Sequence, residues 1–215
     1  MWNERLSDAL EIPLINADRL TSSILPERNP ETFALPSWAQ RFRDNDERWQ
    51  VLAQSSVRAI VALVMERQLP FAMETVFSHW VKLPNGSYYS SKIEEIQNMQ
   101  AAGYFVVLLF VGLASPELSS LRVQTRVQSG GHAVSQKKLF ERFPRTQAAV
   151  GKASSIADMT LMFDNSRDVA NAFSLVRVQS KTRVLFDCRD PAFQVEAALK
   201  EIAETWLPRV VGSPS

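Results

Sequence analysis

The run YFVVLLFVG, residues 104–112, limits the fold of this chain more than any other part of its sequence. It is apolar throughout, whereas a strand with one face in water alternates apolar and polar side chains. We therefore expect a central parallel strand that is covered on both faces. Three further short apolar runs, at 12–16, 70–75 and 158–165, alternate with segments of helical period. This alternation predicts an α/β fold with a parallel sheet flanked by helices.

Amphipathic segments between these runs predict the helices. We expect the tail of a helix at 3–10, helices at 45–68 and 92–103, a helix that starts at Ser115-Pro116 and breaks at Gly130-Gly131, and one or two helices within 137–157, the first limited by Pro144. FSLVRVQ and TRVLFDC predict a hairpin, and a terminal helix follows at 192–207. We expect one domain over 1–215, with a core at about 2–166, the hairpin and helix at about 167–207, and a loose tail at 208–215.

Composition excludes several classes of protein. The chain has one cysteine, Cys188, so it forms no intramolecular disulfide and no cysteine-based metal cluster, which fits a reducing compartment. A net charge of +1 does not point to nucleic acid or to an anionic membrane. The longest apolar run, 104–114, is about half of the ~20 residues that a membrane helix needs. The N-terminus lacks a signal peptide, and we expect the protein in the cytoplasm.

Polar residues follow the predicted strands where an open parallel sheet binds its ligands, at the carboxyl ends of the strands. These residues are Asn16-Ala17-Asp18, Glu74-Thr75, Ser115 and Asp164-Asn165-Ser166. Each has a simpler interpretation beside the functional one. Asp18 or Asp164 could cap the helix that follows it, and Glu74 could form a structural salt bridge.

A second, basic group consists of Arg122, Arg126, Arg142 and Arg145. Arg122 and Arg126 are four residues apart and share one helix face, where their like charges repel unless an anion lies nearby. Guanidinium groups match phosphate geometry and can neutralise the charge that develops in phosphoryl transfer. The alternative is a solvated helix face. His132 has no accompanying nucleophile signature, and the sequence contains no GxSxG, HExxH, CxxC or GxxxxGK[ST] motif.

Four strings together resemble the zeta-toxin-like family of P-loop kinases. They are PLINADRL, FAMETVFS, the long string from AAGYFVVLLF to FERFPRT, and FDNS, and they cover roughly residues 2–166 in the family's order and spacing. The resemblance implies a five-stranded P-loop kinase core that uses ATP and Mg²⁺ to phosphorylate a hydroxyl group. In characterised zeta toxins the acceptor is the 3′-hydroxyl of a UDP-N-acetyl amino sugar, whereas this sequence is similar to a looser branch of the family.

The resemblance also implies roles for particular residues. Asp18 matches the base that takes the proton of the acceptor hydroxyl, and Glu74 and Thr75, with Asn16, match the acceptor site. Lid arginines reach the ATP phosphates: Arg126 and Arg142 match best, with Arg122 and Arg145 as neighbours. Asp164 and Asn165 match the side of the fold that holds the nucleotide base. An antitoxin protein is an implied partner.

The chain departs from the family at its start. Members place the P-loop one helix before the second-strand aspartate, but Met1 lies only 17 residues before Asp18. We therefore expect the first central strand and the P-loop to be missing, through a misassigned start or because the gene is a remnant. Runs 70–75 and 104–112 would then flank an empty slot, and this chain alone would be poorly stable and inactive.

The expected function is that of a zeta-toxin-type kinase acting on a small molecule. The alternative is a catalytically dead relative that binds a nucleotide sugar or a protein. A polynucleotide kinase is a third interpretation, which the near-neutral charge disfavours.

Overall fold

The computed structural model describes residues 6, 10–32, 34–78, 81–84, 88–89, 91–128 and 135–212, with the side chains of 81–82, 88–89 and 126–128 left out. The chain forms two compact units. The first contains Met1–Thr75 and Val123–Ala133, and the second contains Val76–Arg122 and Val134–Ser215. The expectation of one domain over 1–215 stays a prediction.

The first unit is built on two short parallel strands. β1 (Leu14–Ile15) pairs with β2 (Ala72–Met73), and Leu14 lies opposite Ala72. The helices are α1 (Ala17–Ser22), α2 (Ser37–Asn45) and α3 (Glu47–Glu66). Asp46 caps α3, because its Oδ1 accepts the Trp49 backbone N–H at 3.1 Å. A small core of Ile15, Val57 and Val64 joins β1 to α3, which confirms the strand and helix predicted there.

The second unit contains a four-stranded mixed sheet in the order β5-β6-β7-β8. Its strands are β5 (Val107–Gly112), β6 (Met159–Asp164), β7 (Ser174–Ser180) and β8 (Arg183–Asp187). β5 and β6 are parallel, and β6–β7 and β7–β8 are antiparallel. The predicted hairpin is confirmed, and it extends the main sheet rather than lying apart from it. β3 (Val81–Lys82) and β4 (Tyr88–Tyr89) form a separate antiparallel pair.

Four helices accompany these strands: α4 (Lys92–Ala101), α5 (Pro116–Gln128), α6 (Gln136–Ser154) and α7 (Ala197–Val211). The first part of α5, to Arg122, belongs to the second unit and its remainder to the first. Sheet residues that include Leu108, Met162 and Val176 form a core with α4, α6 and α7. None of the helices in the described residues is long and apolar enough to cross a membrane.

Helix boundaries differ from the sequence prediction at two prolines, and the terminal helix begins at Ala197 rather than at 192. α6 runs through Pro144, since its buried C-terminal half holds the helix together despite the lost N–H at the proline. α7 continues to Val211 through Pro208, because Leu207 and Val210 are buried, so the loose tail is shorter than predicted. The predicted helix end at Gly103 is confirmed, with a φ of 89°. The expected helix at 3–10 lies mostly outside the described residues, as do Gly130, Gly131 and His132.

β5 is less covered by the rest of the protein than its apolar sequence predicts. It is the edge strand of its sheet, with β6 as its neighbour, and Val107 and Leu109 are 47% and 39% exposed. The prediction of a central strand covered on both faces is therefore wrong for the described residues. An apolar run reports a preference for burial, but it does not say on how many sides the strand is paired. The expectation that a first central strand is missing stays a prediction.

Candidate functional site

Two of the predicted acceptor-site residues meet at the carboxyl ends of β1 and β2. Asn16 donates from Nδ2 to Oε2 of Glu74 at 2.5 Å. The strand pairing continues into this contact, since the Glu74 N–H donates to the Ile15 carbonyl at 3.1 Å. Asn16 also caps α1, because its Oδ1 accepts the Arg19 N–H at 2.9 Å. Both ends of the Asn16 amide are therefore held, and they fix the position of the Glu74 carboxylate.

Asp18 lies in the first turn of α1 and is exposed. The capping residue of this helix is Asn16, so the alternative that Asp18 serves as the cap is wrong. Within the described part of the chain, the Asp18 carboxylate forms no hydrogen bond or ion pair. Thr75 is half-buried and directly follows Glu74 at the end of β2. A carboxylate with unused acceptor capacity beside an ordered Asn–Glu pair is chemically suited to receive a proton from a bound hydroxyl group.

A second group of predicted residues lies at the carboxyl end of β6, in the second unit. Asp164 is fully buried, and its Oδ1 accepts from Trp206 Nε1 at 3.0 Å and from Ser166 Oγ at 2.7 Å. Its Oδ2 accepts the Ser166 backbone N–H at 3.0 Å. These bonds give Asp164 a structural role in shaping the loop that follows β6.

Asn165, the next residue, differs from Asp164 in what its side chain can still bind. Its backbone N–H donates to the Gly112 carbonyl at 3.0 Å, which ties the loop to the end of β5. Its side-chain Oδ1 is buried, yet it has no hydrogen-bond partner in the described part of the chain. A buried acceptor without a hydrogen-bond donor destabilises the folded protein, so a ligand that supplies a donor would bind favourably here.

The four predicted arginines fall into different environments. Arg142 and Arg145 are exposed and lie three residues apart on α6, so they share one helix face. Arg122 donates from Nη2 to the carbonyls of Asn165 and Arg167, both at 3.1 Å. The backbone of Arg126 lies one turn further along α5, and its side chain is outside the described residues.

Sequence reasoning missed two features of this site. It named Ser166 but gave its side chain no hydrogen-bonding role, and it did not include Trp206. Ser166 Oγ accepts the Ala114 N–H at 2.8 Å, which joins the ends of β5 and β6 a second time. Trp206 reaches Asp164 from α7, 42 residues away along the chain. The triplet Asp164-Asn165-Ser166 marked the loop, but no local signal pointed to its tryptophan partner. In the described residues no group of three or more His, Cys, Asp or Glu side chains could hold a metal ion.

Comparison with known proteins identifies the fold. Neither the models of protein families nor the curated proteins contain a match to this chain. A solved structure from the PezAT chromosomal toxin–antitoxin system of Streptococcus pneumoniae is similar to it, with a TM-score of 0.51 and 13% sequence identity over 94% of this chain and 77% of that chain. PezAT is a toxin–antitoxin system of the zeta-toxin family. The mixed α/β chain described above therefore has a zeta-toxin-like fold, as its sequence predicted.

Proposed function

We propose that this protein is an ATP-dependent phosphotransferase of the zeta-toxin type, which phosphorylates a hydroxyl group of a small molecule. A UDP-N-acetyl sugar is the first acceptor to test. The observation that carries the proposal is the Asn16–Glu74 hydrogen bond, two residues before the exposed carboxylate of Asp18, which has no partner among the described residues. The zeta-toxin-like fold supports it, because the carboxyl ends of parallel strands are where such folds bind ligands.

In the proposed reaction Asp18 takes the proton from the acceptor hydroxyl as its oxygen attacks the γ-phosphorus of ATP. The bond from the γ-phosphorus to the bridging oxygen breaks, and ADP leaves with the electron pair. Glu74 and Thr75 hold the acceptor so that its hydroxyl lies within reach of Asp18, and Asn16 keeps the Glu74 carboxylate in position. Removal of the base should cost on the order of 10²–10⁴ in rate.

ATP and Mg²⁺ are the proposed cofactors. Arg126 and Arg142, with Arg145 as a neighbour, are candidates to neutralise phosphate charge. Asn165, whose Oδ1 has no partner in the described residues, is a candidate to contact the nucleotide. Mg²⁺ is usually held by one or two carboxylates together with substrate phosphates and water, and we propose that it enters with ATP. When bound, it would supply positive charge that offsets the negative charge of the phosphates. The printed sequence contains no GxxxxGK[ST] loop, so assays should include a form extended by any upstream coding sequence.

The test compares Asp18→Asn with Glu47→Gln, a matched control in which another exposed, first-turn carboxylate is neutralised. We expect Asp18→Asn to keep nucleotide affinity and to lose turnover of a UDP-N-acetyl sugar, while the control keeps both. Near-normal turnover in Asp18→Asn would remove Asp18 from the catalytic role. Binding of the nucleotide sugar without turnover in every form would instead support the alternative, a binding protein without catalytic activity.

We also propose a protein antitoxin as partner, because the structural neighbour belongs to a toxin–antitoxin system. Expression of the chain should slow bacterial growth, and coexpression of the product of an adjacent gene should restore it. Normal growth on expression of the active, extended form would argue against a toxin.

A further inference from the structure

We infer that Arg122 is a positioning residue that clamps the loop Asp164–Arg167, rather than a ligand of the ATP phosphates. One guanidinium nitrogen of Arg122 donates to two loop carbonyls on either side of Ser166, those of Asn165 and Arg167, each at 3.1 Å. The expected effect of Arg122 on nucleotide binding rests on the proposed function. The clamp itself is a property of the free protein.

Both ends of the loop are anchored by other groups. At its start the buried carboxylate of Asp164 is bonded to Trp206 and Ser166. At its end Arg167 donates to Glu196 at 2.8 Å and to Ser174 Oγ at 2.7 Å. Arg122 binds the Asn165 carbonyl, which lies between these anchors, and the Arg167 carbonyl at the second anchor. It therefore ties the loop to α5, the helix that comes after β5 in the chain.

Asn165 is the residue that this clamp holds in place. Apart from the Arg122 contact, the backbone of Asn165 is bonded through its N–H to Gly112. Its buried Oδ1 has no partner in the described residues, so it can meet a ligand only if the backbone stays where it is. Loss of the Arg122 donors would release the Asn165 carbonyl and allow the side chain to turn towards water.

The phosphate role assigned to Arg122 from the sequence competes with this geometry. A guanidinium binds phosphate most strongly through two parallel N–H donors. The Nη2 group of Arg122 is already shared between two carbonyls, so a bidentate phosphate contact through that nitrogen would break the clamp. The two roles predict different changes when the donors are removed.

Arg122→Met keeps most of the side chain and removes every donor. We expect backbone amide exchange at Ser166 and Ala114, measured without nucleotide, to become faster on the order of tenfold, since a hydrogen bond from a charged donor is lost. Lys137→Met, which removes an exposed cation from α6, is the control and should leave this exchange unchanged. Unchanged exchange in Arg122→Met would overturn the clamp.

Affinity for adenosine and for ATP then separates the two roles. If Arg122 acts through the loop, Arg122→Met lowers the affinity for adenosine and the affinity for ATP by a similar factor, about tenfold. If Arg122 instead contacts the phosphates, Arg122→Met weakens the binding of ATP alone and leaves the affinity for adenosine unchanged. That result would overturn the inference. If the wild-type protein, extended form included, binds neither ligand, the proposed function fails, while the exchange measurement still decides whether Arg122 is a clamp.

Discussion

Replacement of Gly112 by alanine should destabilise the second unit through a clash with one buried ring. Gly112 is the last residue of β5, and a Cβ added there would lie 2.4 to 2.6 Å from three atoms of the six-membered ring of Trp206. Trp206 is fully buried, and its indole N–H is bonded to the buried Asp164. The ring cannot withdraw without breaking that bond or displacing the core.

The size of the effect follows from the cost of overpacking a rigid core, typically about 1–3 kcal/mol. For a chain of this length, 1 kcal/mol lowers the melting temperature by roughly 2–4 °C, so we expect a decrease of about 2–12 °C. Trp206→Phe removes the ring atoms nearest to the new methyl group. It also removes the hydrogen bond to Asp164, which costs about 1.5–3 kcal/mol by itself.

Thermal and urea unfolding of wild type, both single variants and the double variant provide the test. The double variant should lose less stability than the sum of the single variants, with a coupling of about 0.5–3 kcal/mol. Gly103→Ala is the control, because its added methyl group meets no atom within 4 Å and the cost comes from a φ of 89°. That variant should show no coupling to Trp206→Phe. A Gly112→Ala protein as stable as wild type, or additive losses in the double variant, would refute the clash.

Two further predictions concern titratable groups of the second unit. Burial by itself would raise the pKa of Asp187, but hydrogen bonds from Arg189 and Arg177 and the charge of Arg189 lower it below the ordinary 3.8. A lowered folded-state pKa stabilises the fold above pH 3.8, and this contribution is lost as pH falls through the folded pKa. Asp187→Asn leaves the buried Arg189 uncompensated and should cost about 3–5 kcal/mol at pH 7. In urea unfolding measured as a function of pH, the difference in free energy of unfolding between Asp187→Asn and wild type should become smaller below pH 4. A difference that does not change with pH would contradict the lowered pKa of Asp187. Burial raises the pKa of the Cys188 thiol to about 11. A thiol reagent at pH 8 should therefore label the native protein at least about a hundredfold more slowly than the denatured protein, and equal rates would contradict the burial.

Sequence reasoning found the elements of this fold better than their pairing. The strand at β5, the long helix α3, the hairpin β7–β8 and the terminal helix all follow from local pattern. The exposure of Val107 and Leu109 on β5 does not, because an apolar run does not show which of its side chains are covered. The passage of α6 through Pro144 was also missed, since the burial of residues such as Val150 and Ala153 outweighs the local cost of the proline.

For the candidate site as well, the sequence predicted what depends on neighbouring residues and missed what depends on distant contacts. Asn16 and Glu74 could be placed together because the carboxyl ends of neighbouring parallel strands meet. Asp164 and Asn165 carry the same signal in the sequence, yet Asp164 is bonded to Trp206 in addition to Ser166, whereas the Oδ1 of Asn165 has no partner among the described residues. This difference depends on a contact 42 residues away, which no motif at the loop encodes.

Unused hydrogen-bonding capacity therefore distinguishes the predicted site residues from one another, whereas position at a strand end does not. Asn16, Asp164 and Arg122 all lie near such ends, but their polar atoms hold other parts of the protein in place. Asp18 and the Oδ1 of Asn165 have no internal partner in the described residues, so a ligand can bind them without breaking the fold. Substitution of these two should reduce turnover or affinity with little loss of stability. Substitution of the three supporting residues should change stability or loop exchange together with function, because they act through the groups that they hold.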